Sequence, residues 1–383
     1  MAQYGYFILM LHFELSQNQQ RKHQQLTLQY DRISQQAAAF SEEKRTFVSL
    51  QSQISNIGAS TRIENALLTD IEIEWIDTVL KTEPHLEYQN RERFIKNKLA
   101  KDKSRSIEEV AGYRNAIQLV FSAPEMFFPL SISQIKGLHR EILRFSADAN
   151  HYSGDFKKIP NTVIETNHAT SQTRSVLKTA APGIITETAM QDLLTWYNQE
   201  IVENSFTLAV AVELVFRFLA IHPFQDGNGR LSRLLMHIAL LSPENSVFRA
   251  SVPLCAIDRS IEQTRKKYYE VLQRCSGGIF SPEPGDYSYG FFLDYIFEML
   301  LKSPAHFDHY CTKYDRYQAL SATAVKVLDS FKNRPEQPVA TRELMADLPI
   351  PRRTLIYSLN SLLEAGFIQR AGKGPGSRYR LIF

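Results

Sequence analysis

The chain has 383 residues, 44% of them hydrophobic and 22% charged, and its formal net charge is +3. Such a composition is ordinary for globular proteins, and the length predicts two or three structural units rather than one. The net charge is too small to indicate a polyanionic partner for the whole molecule.

Two further features bear on the compartment. The three cysteines are widely spaced and form no Cys-x-x-Cys pair, which argues against a disulfide framework or a thiolate zinc site. The apolar run at 6–11 lacks a basic leader and is far too short to span a bilayer. We therefore expect a cytoplasmic protein without a membrane partner.

The N-terminal third of the chain is predicted to be helical. Residues 17–50 are rich in Gln, Lys and Arg, lack Gly and Pro, and read as a polar helical stretch. The helical pattern continues to about residue 125, with weak breaks predicted at 56–58 and 83–84. Ser131 precedes an apolar periodic run and is predicted to cap the next helix.

Beyond that helix the pattern changes over residues 154–182. Residues 163–166 and 174–177 have strand character and flank a polar stretch, so they predict a β-hairpin in an otherwise helical protein. The helical period returns at Thr186, and the nearly continuous apolar run at 206–221 predicts a helix buried through the middle of a domain. Further helices are predicted at 231–241, 258–275 and 288–302.

The C-terminal portion, residues 318–383, is basic, with ten Lys and Arg against five Asp and Glu. Its predicted elements resemble a winged helix-turn-helix, which could bind DNA or could instead serve as a dimer or protein docking module. These elements are a helix at 322–331, a short helix from Thr341, a helix at 351–364, and strands at 367–370 and 378–382. The candidate DNA contacts are Arg352, Arg353, Lys373 and Arg378.

The most informative segment is the string His-Pro-Phe-Gln-Asp-Gly-Asn-Gly-Arg-Leu-Ser-Arg at residues 222–233. Gly227 and Gly229 lead into a helix, so backbone N–H groups can point into one concavity that suits a phosphate. Arg230 and Arg233 lie one turn apart on one helix face and can reach the same polyphosphate chain.

Two side chains of this string can supply the reaction chemistry. Asp226 stands just before the glycines and can hold a magnesium ion that also binds phosphate oxygens. His222 stands at the other end of the loop, where a neutral imidazole can take a proton from an attacking hydroxyl. The alternative is a buried helix-turn-helix that carries only an N-cap and a few surface charges.

The string agrees at every fixed position with the motif of the Fic family, His-Pro-Phe-x-[Asp/Glu]-Gly-Asn-Gly-Arg-x-x-Arg, and the chain resembles that family over about residues 55–300. The resemblance implies ATP as the substrate and magnesium as the cofactor. His222 would deprotonate a Ser, Thr or Tyr hydroxyl on a protein, Asp226 would bind the metal, and Phe224 would anchor the loop by packing. The residues that would hold the phosphates are Gly227, Asn228, Gly229 and Arg230, with Arg233 at the γ-phosphate.

The segments on either side agree with this resemblance. The hairpin falls where the family has its flap, residues 160–178, which aligns the target backbone by strand addition. Lys157 replaces an arginine that the family usually has before the flap, so the anchoring of the flap is an open point. Tyr268 resembles a family tyrosine near the nucleoside, or is an ordinary half-buried tyrosine. The other residues that the resemblance places near the nucleotide are Val163, Ile164, Glu165, Thr166 and Ser276.

Residues 60–65, Ser-Thr-Arg-Ile-Glu-Asn, resemble the family's inhibitory motif, [Ser/Thr]-x-x-x-Glu-[Gly/Asn], which here runs from Ser60 to Asn65. Glu64 would pair with Arg233 and take the place of the γ-phosphate, so that ATP could bind only in a non-productive pose. The alternative is structural, because Thr61 and Glu64 also have the spacing of a helix N-terminal capping box.

These observations predict a mainly α fold: a Fic helical core with a β-hairpin flap, an N-terminal helical regulatory region and a C-terminal winged-helix domain. The predicted domains are 1–110, 111–302 and 318–383. The predicted function is autoinhibited transfer of AMP from ATP to a hydroxyl of a target protein or of the chain itself.

Two alternatives stay open. One is a DNA-binding transcriptional regulator whose Fic core only senses a nucleotide. The other is a Fic core that removes AMP or transfers another phosphate-linked group. The resemblance also suggests a homodimer.

Overall fold

The structure, a computed structural model, describes residues 11–81, 103–149, 151–167, 172–332, 337–372 and 374–382. Over these residues the fold is mainly helical, as the sequence predicts, with two small antiparallel sheets. The predicted break at 83–84, most of the apolar run at 6–11 and Lys373 lie outside the described residues. Of the helices described, none has the length and apolar character needed to cross a membrane.

The helices of the N-terminal region are α1 (Gln17–Ala38), α2 (Glu42–Ile63), α3 (Asp70–Lys81) and α4 (Ser104–Ser122). The central helices are α5 (Ile132–Ile142), α6 (Ile184–Glu203), α7 (Thr207–Ile221) and α8 (Asn228–Leu240), and the string at residues 222–233 begins directly after α7. They are followed by α9 (Ser246–Ser251), α10 (Ile257–Gln263), α11 (Arg265–Ser276), α12 (Tyr289–Lys302) and α13 (Pro304–Gln318). Strands β1 (Thr162–Asn167) and β2 (Gln172–Lys178) lie between α5 and α6.

The stretch at 17–50 is helical, as predicted, and it consists of α1 and the start of α2. The two helices are divided at 39–41, where the Ser41 hydroxyl accepts the N–H of Lys44 and starts α2. One prediction for this region is wrong. No break occurs at 56–58, because α2 continues through it. Gly58 allows close packing there, since a Cβ atom would overlap the side chains of Arg62 and Asp70.

Helix α7 is the centre of the fold. All its residues from Leu208 to Ile221 are buried, which confirms the buried helix predicted from the apolar run. It packs against α6 and α8, and its last residue leads directly into the segment that begins with His222. A continuous cluster of buried side chains reaches from Leu26 to Cys311, so the N-terminal and central helices share one core. The single helix predicted at 258–275 is wrong, because Thr264 separates α10 from α11.

Helix α5 and the hairpin form as predicted. The Ser131 hydroxyl accepts the N–H of Gln134 at 3.3 Å, and the Gln134 side chain accepts the N–H of Ser131 at 2.7 Å. β1 and β2 are antiparallel, with a bulge after Val163. The N–H of Lys178 donates to the carbonyl of Gly278 at 2.9 Å, which attaches the hairpin to the segment after α11.

The C-terminal unit consists of α14 (Ala322–Lys332), β3 (Val339–Ala340), α15 (Thr341–Asp347), α16 (Arg352–Glu364), β4 (Ile368–Ala371) and β5 (Arg378–Leu381). It has its own cluster of buried side chains between Ala324 and Tyr379. Strand β3 was not predicted; it pairs with β5 in the sheet order β3-β5-β4. Pro351 precedes α16 instead of lying in its first turn, since its ψ of 140° is extended.

Candidate active site

The segment at 222–227 is a short loop between two buried helices. His222, at the end of α7, has a φ of +52°, and Gly227, before α8, has a φ of +77°. A positive φ is uncommon for a residue other than glycine and occurs preferentially at functional sites. The loop borders a cavity of about 290 Å³, which is also lined by Glu64 and Tyr268.

The ring of His222 has a defined proton arrangement. Its Nδ1 lies 3.3 Å from the carbonyl oxygen of Leu219, and because a carbonyl only accepts, Nδ1 carries the proton. Nε2 is therefore left with a lone pair. Burial, together with the positive charge of Lys157, lowers the pKa of His222 to about 4, although the carboxylates of Glu64 and Asp226 act in the opposite direction. The imidazole is consequently neutral at pH 7.

The middle of the loop is held by Phe224. Its ring is fully buried and stacks on His139, with 3.9 Å between the ring centroids, as expected for a packing anchor. The Asn228 side chain accepts the N–H of Phe224 at 2.9 Å and donates to the carbonyl of Phe224 at 2.7 Å. The amide of Asn228 is thus engaged with the loop backbone. The residue also lines the cavity, and its contact with a phosphate stays a prediction.

His139 connects the loop to α5. Its Nδ1 accepts the N–H of Gly154 at 2.8 Å, so Nε2 carries the proton and donates to the carbonyl of Asp226 at 2.9 Å. Burial lowers the pKa of His139 to about 4. Sequence reasoning assigned no such role to His139; the available signal was a histidine on the apolar face of a predicted helix.

Arg230 is buried without a full set of partners. Its side chain is 2% exposed, and Nε and Nη1 have no hydrogen-bond partner within the part of the chain that the structure describes. Nη2 lies 3.7 Å from Oδ1 of Asp226, whose carboxylate is 43% exposed. Buried N–H groups that lack acceptors are costly, and an anionic ligand can satisfy them.

Arg233, one turn further along α8, is paired with the end of α2. Its Nε donates to the Ser60 hydroxyl at 2.7 Å, and its Nη2 donates to the Ser60 carbonyl at 2.8 Å and to Oε1 of Glu64 at 2.9 Å. Burial acts to lower the pKa of Arg233, but the Glu64 carboxylate and other nearby groups raise it above its usual value. The Glu64 carboxylate also lies against Gly229, where a Cβ atom would overlap it.

The capping-box alternative for residues 60–65 is wrong. Thr61 and Glu64 lie at the C-terminal end of α2, whereas a capping box belongs at a helix N-terminus. The hydroxyl of Thr61 donates to the carbonyl of Ile57 at 2.8 Å. Asn65 ends the turn with a φ of +80°, and its side chain accepts from Arg265 at 2.7 Å.

Only some of the other residues predicted to lie near the nucleotide line the cavity. Val163, Ile164 and Tyr268 line the cavity, and burial raises the pKa of Tyr268 to about 12. Glu165 instead pairs with Arg174 across the hairpin at 2.7 Å. The side chain of Thr166 lies outside the described residues.

Ser276 is not among the residues that line the cavity, and its position near the nucleotide stays a prediction. Its hydroxyl donates to the carbonyl of Leu272 at 2.9 Å and accepts the N–H of Gly278 at 3.1 Å. These two bonds close the end of α11, so the residue has a local structural role.

Lys157 ties the base of the hairpin to the end of α7. It is 3% exposed, and its Nζ donates at 2.9 Å to each of three acceptors: the carbonyl of Ile221, Oδ1 of Asn161 and the hydroxyl of Thr179. Burial lowers the pKa of Lys157 to about 8. The lysine that departs from the family pattern therefore anchors the flap.

The helical core, the hairpin and the loop around one cavity define a Fic-type domain. Residues 129–240, from just before α5 to the end of α8, match the Fic/DOC family. These residues of the chain therefore form a Fic/DOC domain.

The relatives and structures similar to this chain agree with that assignment. Over 174 residues, 45% of the chain, it is 28% identical to a protein named protein adenylyltransferase Fic from Drosophila willistoni, and the match spans 30% of that relative's length. The fold resembles a Fic-domain-containing signaling protein from Bacteroides thetaiotaomicron, with a TM-score of 0.56, 21% identity, and 76% of this chain and 96% of that one covered. A Fic family protein from Desulfovibrio desulfuricans has a TM-score of 0.50 and 20% identity, with 97% of this chain and 98% of that one covered.

Proposed function

We propose that this protein is an autoinhibited protein adenylyltransferase, which transfers AMP from ATP to the hydroxyl of a Ser, Thr or Tyr residue on a target protein or on itself. The observation that carries the proposal is a neutral His222 across one loop from the unsatisfied guanidinium group of Arg230. The similarity to proteins named protein adenylyltransferase Fic supports AMP as the transferred group.

His222 acts as the general base. Its Nε2 carries the lone pair, and the hydrogen bond from Nδ1 to Leu219 keeps the ring in that tautomer. A pKa of about 4 means that almost every molecule has a neutral imidazole at pH 7. Bound nucleotide brings negative charge beside the ring and raises its pKa toward the range in which a general base works best.

The transfer is a substitution at the α-phosphorus. The hydroxyl oxygen of the target attacks, its proton passes to Nε2 of His222, and the bond to the β-bridging oxygen breaks to release pyrophosphate. Nε and Nη1 of Arg230 donate to the inner phosphates. These donors are already in place before substrate binds, so they stabilise the developing charge without reorganisation.

Asp226 fits a magnesium ion. Magnesium takes one or two carboxylates together with phosphate oxygens, and the Asp226 carboxylate is 43% exposed at the cavity beside Arg230. When bound, the ion would neutralise charge on the phosphates during transfer. His139 holds the backbone carbonyl of Asp226, which keeps the carboxylate in place.

Autoinhibition depends on the pair between Glu64 and Arg233. Glu64 and Ser60 engage Nη2 and Nε of this guanidinium group, which leaves only Nη1 for a γ-phosphate. The carboxylate also lies against Gly229 at the start of α8, where a helix N-terminus favours a phosphate. A triphosphate would therefore have to displace Glu64 before it could bind productively. If Glu64 stays in place, the outer phosphate must turn away, and the bound pose is non-productive.

The target protein is expected to dock on the hairpin. In the described sheet β1 pairs with β2 on one side only, so its other edge offers backbone hydrogen bonds to an added strand. Ile164, on β1, lines the cavity and is 53% exposed, which suits contact with a target side chain beside the reacting hydroxyl.

The test uses the full chain carrying Glu64→Gly, incubated with magnesium and ATP labelled at the α- or the γ-phosphate. We expect α-label on protein without γ-label, and a fall to about 1% or less in the same variant carrying His222→Ala, because general bases contribute on the order of 10²–10⁴-fold. Label from γ-ATP alone would mean phosphate transfer. Bound nucleotide with neither label would favour a nucleotide sensor, and release of AMP from modified protein would favour removal.

A second function, DNA binding, is supported by the C-terminal unit. Arg352 and Arg353 begin α16 and are exposed, and Tyr357 on the same helix is 72% exposed. Binding through phosphate contacts would weaken steeply as the salt concentration rises. The Arg352→Ala and Arg353→Ala variants would show a smaller dependence of binding on salt, because they lose phosphate contacts. A salt dependence near zero in the unchanged protein would remove this function.

A further inference from the structure

Lys157 contacts both ends of the hairpin and the residue before His222. We propose that Lys157 is a positioning residue that ties both ends of the flap to the backbone on either side of His222. This inference rests on the proposed function, in which His222 is the base and the hairpin receives the target.

The three bonds of the Lys157 ammonium group join three separate segments. Ile221 ends α7, Asn161 precedes β1, and Thr179 follows β2. An ammonium group has three N–H donors, so these acceptors use all of them. The Thr179 hydroxyl also donates to the carbonyl of Asn161 at 2.9 Å, which closes the two ends of the hairpin around the lysine.

The same cluster holds the residues that follow His222. The backbone N–H of Lys157 donates to the carbonyl of Pro223 at 2.8 Å. The side chain of Asn161 donates to the carbonyl of Phe224 at 2.8 Å. Since Ile221 is held by Nζ, the chain is bonded to the base of the hairpin on both sides of His222. A displacement of the flap is therefore transmitted to His222, and a displacement of His222 is transmitted to the flap.

The charge of Lys157 acts on the imidazole. The charged groups that face His222 are Lys157 from the hairpin base, Glu64 from the end of α2, and Asp226 from its own loop. The carboxylates favour the protonated ring, whereas the buried ammonium group, which water screens little, opposes it. The pKa of Lys157, about 8, leaves it charged at pH 7.

The acceptor geometry explains why a lysine suits this position. Three acceptors that converge on one nitrogen match a compact ammonium group, whereas a planar guanidinium group spreads its donors over three nitrogens. Lys157→Arg should therefore keep the charge beside His222 but lose bonds to the hairpin. Lys157→Met should lose both, and Thr179→Val should remove the bonds of the Thr179 hydroxyl to Lys157 and Asn161 while leaving the charge. These three variants separate the two roles.

The first measurement is an NMR titration of His222 in the full chain with labelled histidine, and it requires no activity. The signal is assigned by its loss in His222→Asn. In Lys157→Met we expect the proton affinity of His222 to rise on the order of tenfold. Lys157→Arg should not change it, and neither should Lys158→Met, which removes the neighbouring, exposed lysine.

The second measurement is hydrogen exchange of residues 162–178, beside AMP transfer in the Glu64→Gly background. Lys157→Met and Thr179→Val should speed exchange and slow transfer by about tenfold to a hundredfold, because small displacements of reacting groups cost rate. Thr179→Ser, which keeps the hydroxyl, should have the exchange rate and the transfer rate of the parent. Lys158→Met should also match the parent.

The outcomes are distinguishable. If Lys157→Met leaves the His222 titration and the hairpin exchange as they are in Lys158→Met, the role of Lys157 is refuted. If Lys157→Met does not fold, the comparison of Thr179→Val with Thr179→Ser decides the role of the Lys157 cluster: equal hairpin exchange in these two variants would refute it. Absence of transfer in every variant would overturn the proposed function, while titration and exchange would still decide the role of Lys157.

Discussion

Arg230 and Arg233 lie one turn apart on α8, are each 2% exposed, and carry the same charge, yet their surroundings differ. Arg233 has Ser60 and Glu64 of α2 as acceptors for Nε and Nη2. Arg230 has only a distant carboxylate, that of Asp226 at 3.7 Å, and two buried nitrogens without a partner in the described chain.

The difference shows that burial and charge do not by themselves identify a ligand site; the supply of acceptors does. A guanidinium group buried without acceptors is destabilising until an anion arrives. Arg233, whose Nε and Nη2 already have partners in the protein, must instead exchange one partner for another. Under the proposed function, the inner-phosphate end of the loop is ready for ATP and the outer-phosphate end is occupied. The following predictions test that contrast.

The largest effect is expected at Arg230. In the Glu64→Gly background, Arg230→Gln should slow AMP transfer by on the order of 10²–10³-fold, because it removes donors that face the developing charge. The measurement is the initial rate with α-labelled ATP. Arg316→Gln, an exposed arginine of α13, is the matched control and should keep the parent rate. A rate for Arg230→Gln within threefold of the control, roughly 0.7 kcal/mol, would contradict the contrast.

The next effect is expected at Glu64. Glu64→Gly should raise transfer by about tenfold to a hundredfold, the value of one charge-assisted hydrogen bond at about 1.5–3 kcal/mol. Without nucleotide, the same variant should unfold at a lower temperature, because the buried Arg233 loses its counter-charge. Added ATP and magnesium should raise that temperature more than in the parent. Equal stabilisation by nucleotide in both proteins would argue against competition for Arg233.

A smaller effect concerns the loop itself. Asn228→Ala removes both bonds to the buried backbone of Phe224 and should lower the free energy of unfolding by about 2 kcal/mol. Gln225→Ala, a partly exposed neighbour in the same loop, should change it by about 0.5 kcal/mol or less. Denaturant titration of both variants measures the difference. Equal losses would mean that Asn228 does not hold the loop.

The smallest effect is a dependence of stability on pH. The pKa of His139 is about 4 in the folded protein, below its unfolded value, so the unfolded chain binds more protons and stability falls as pH drops from 6.5 toward 4. Between pH 7.5 and 5.5 the parent should lose about 1 kcal/mol more than His139→Gln, whose amide does not titrate. His151→Gln, at an exposed histidine, should keep the parent's pH dependence.

Local pattern predicted much of the fold around the site. The apolar run of α7, the strand character of the hairpin and the cap at Ser131 depend on neighbours a few residues away, and all three were confirmed. The motif at 222–233 is contiguous, so its residues could be named together. Local pattern was wrong where packing decided: Gly58 suggested a break, but its lack of a side chain serves a close contact inside α2.

The sequence by itself therefore determined most of the helices and the hairpin, because these follow from periodicity, and it singled out the segment at 222–233 through a motif of adjacent residues. Tertiary structure alone decided which groups are satisfied. Arg233 meets Glu64 across 169 positions and Lys157 meets Ile221 across 64, whereas Arg230 meets no comparable acceptor in the described chain. Hydrogen-bond satisfaction depends on distance in space, and spacing along a chain does not encode the distance between segments that only folding brings together.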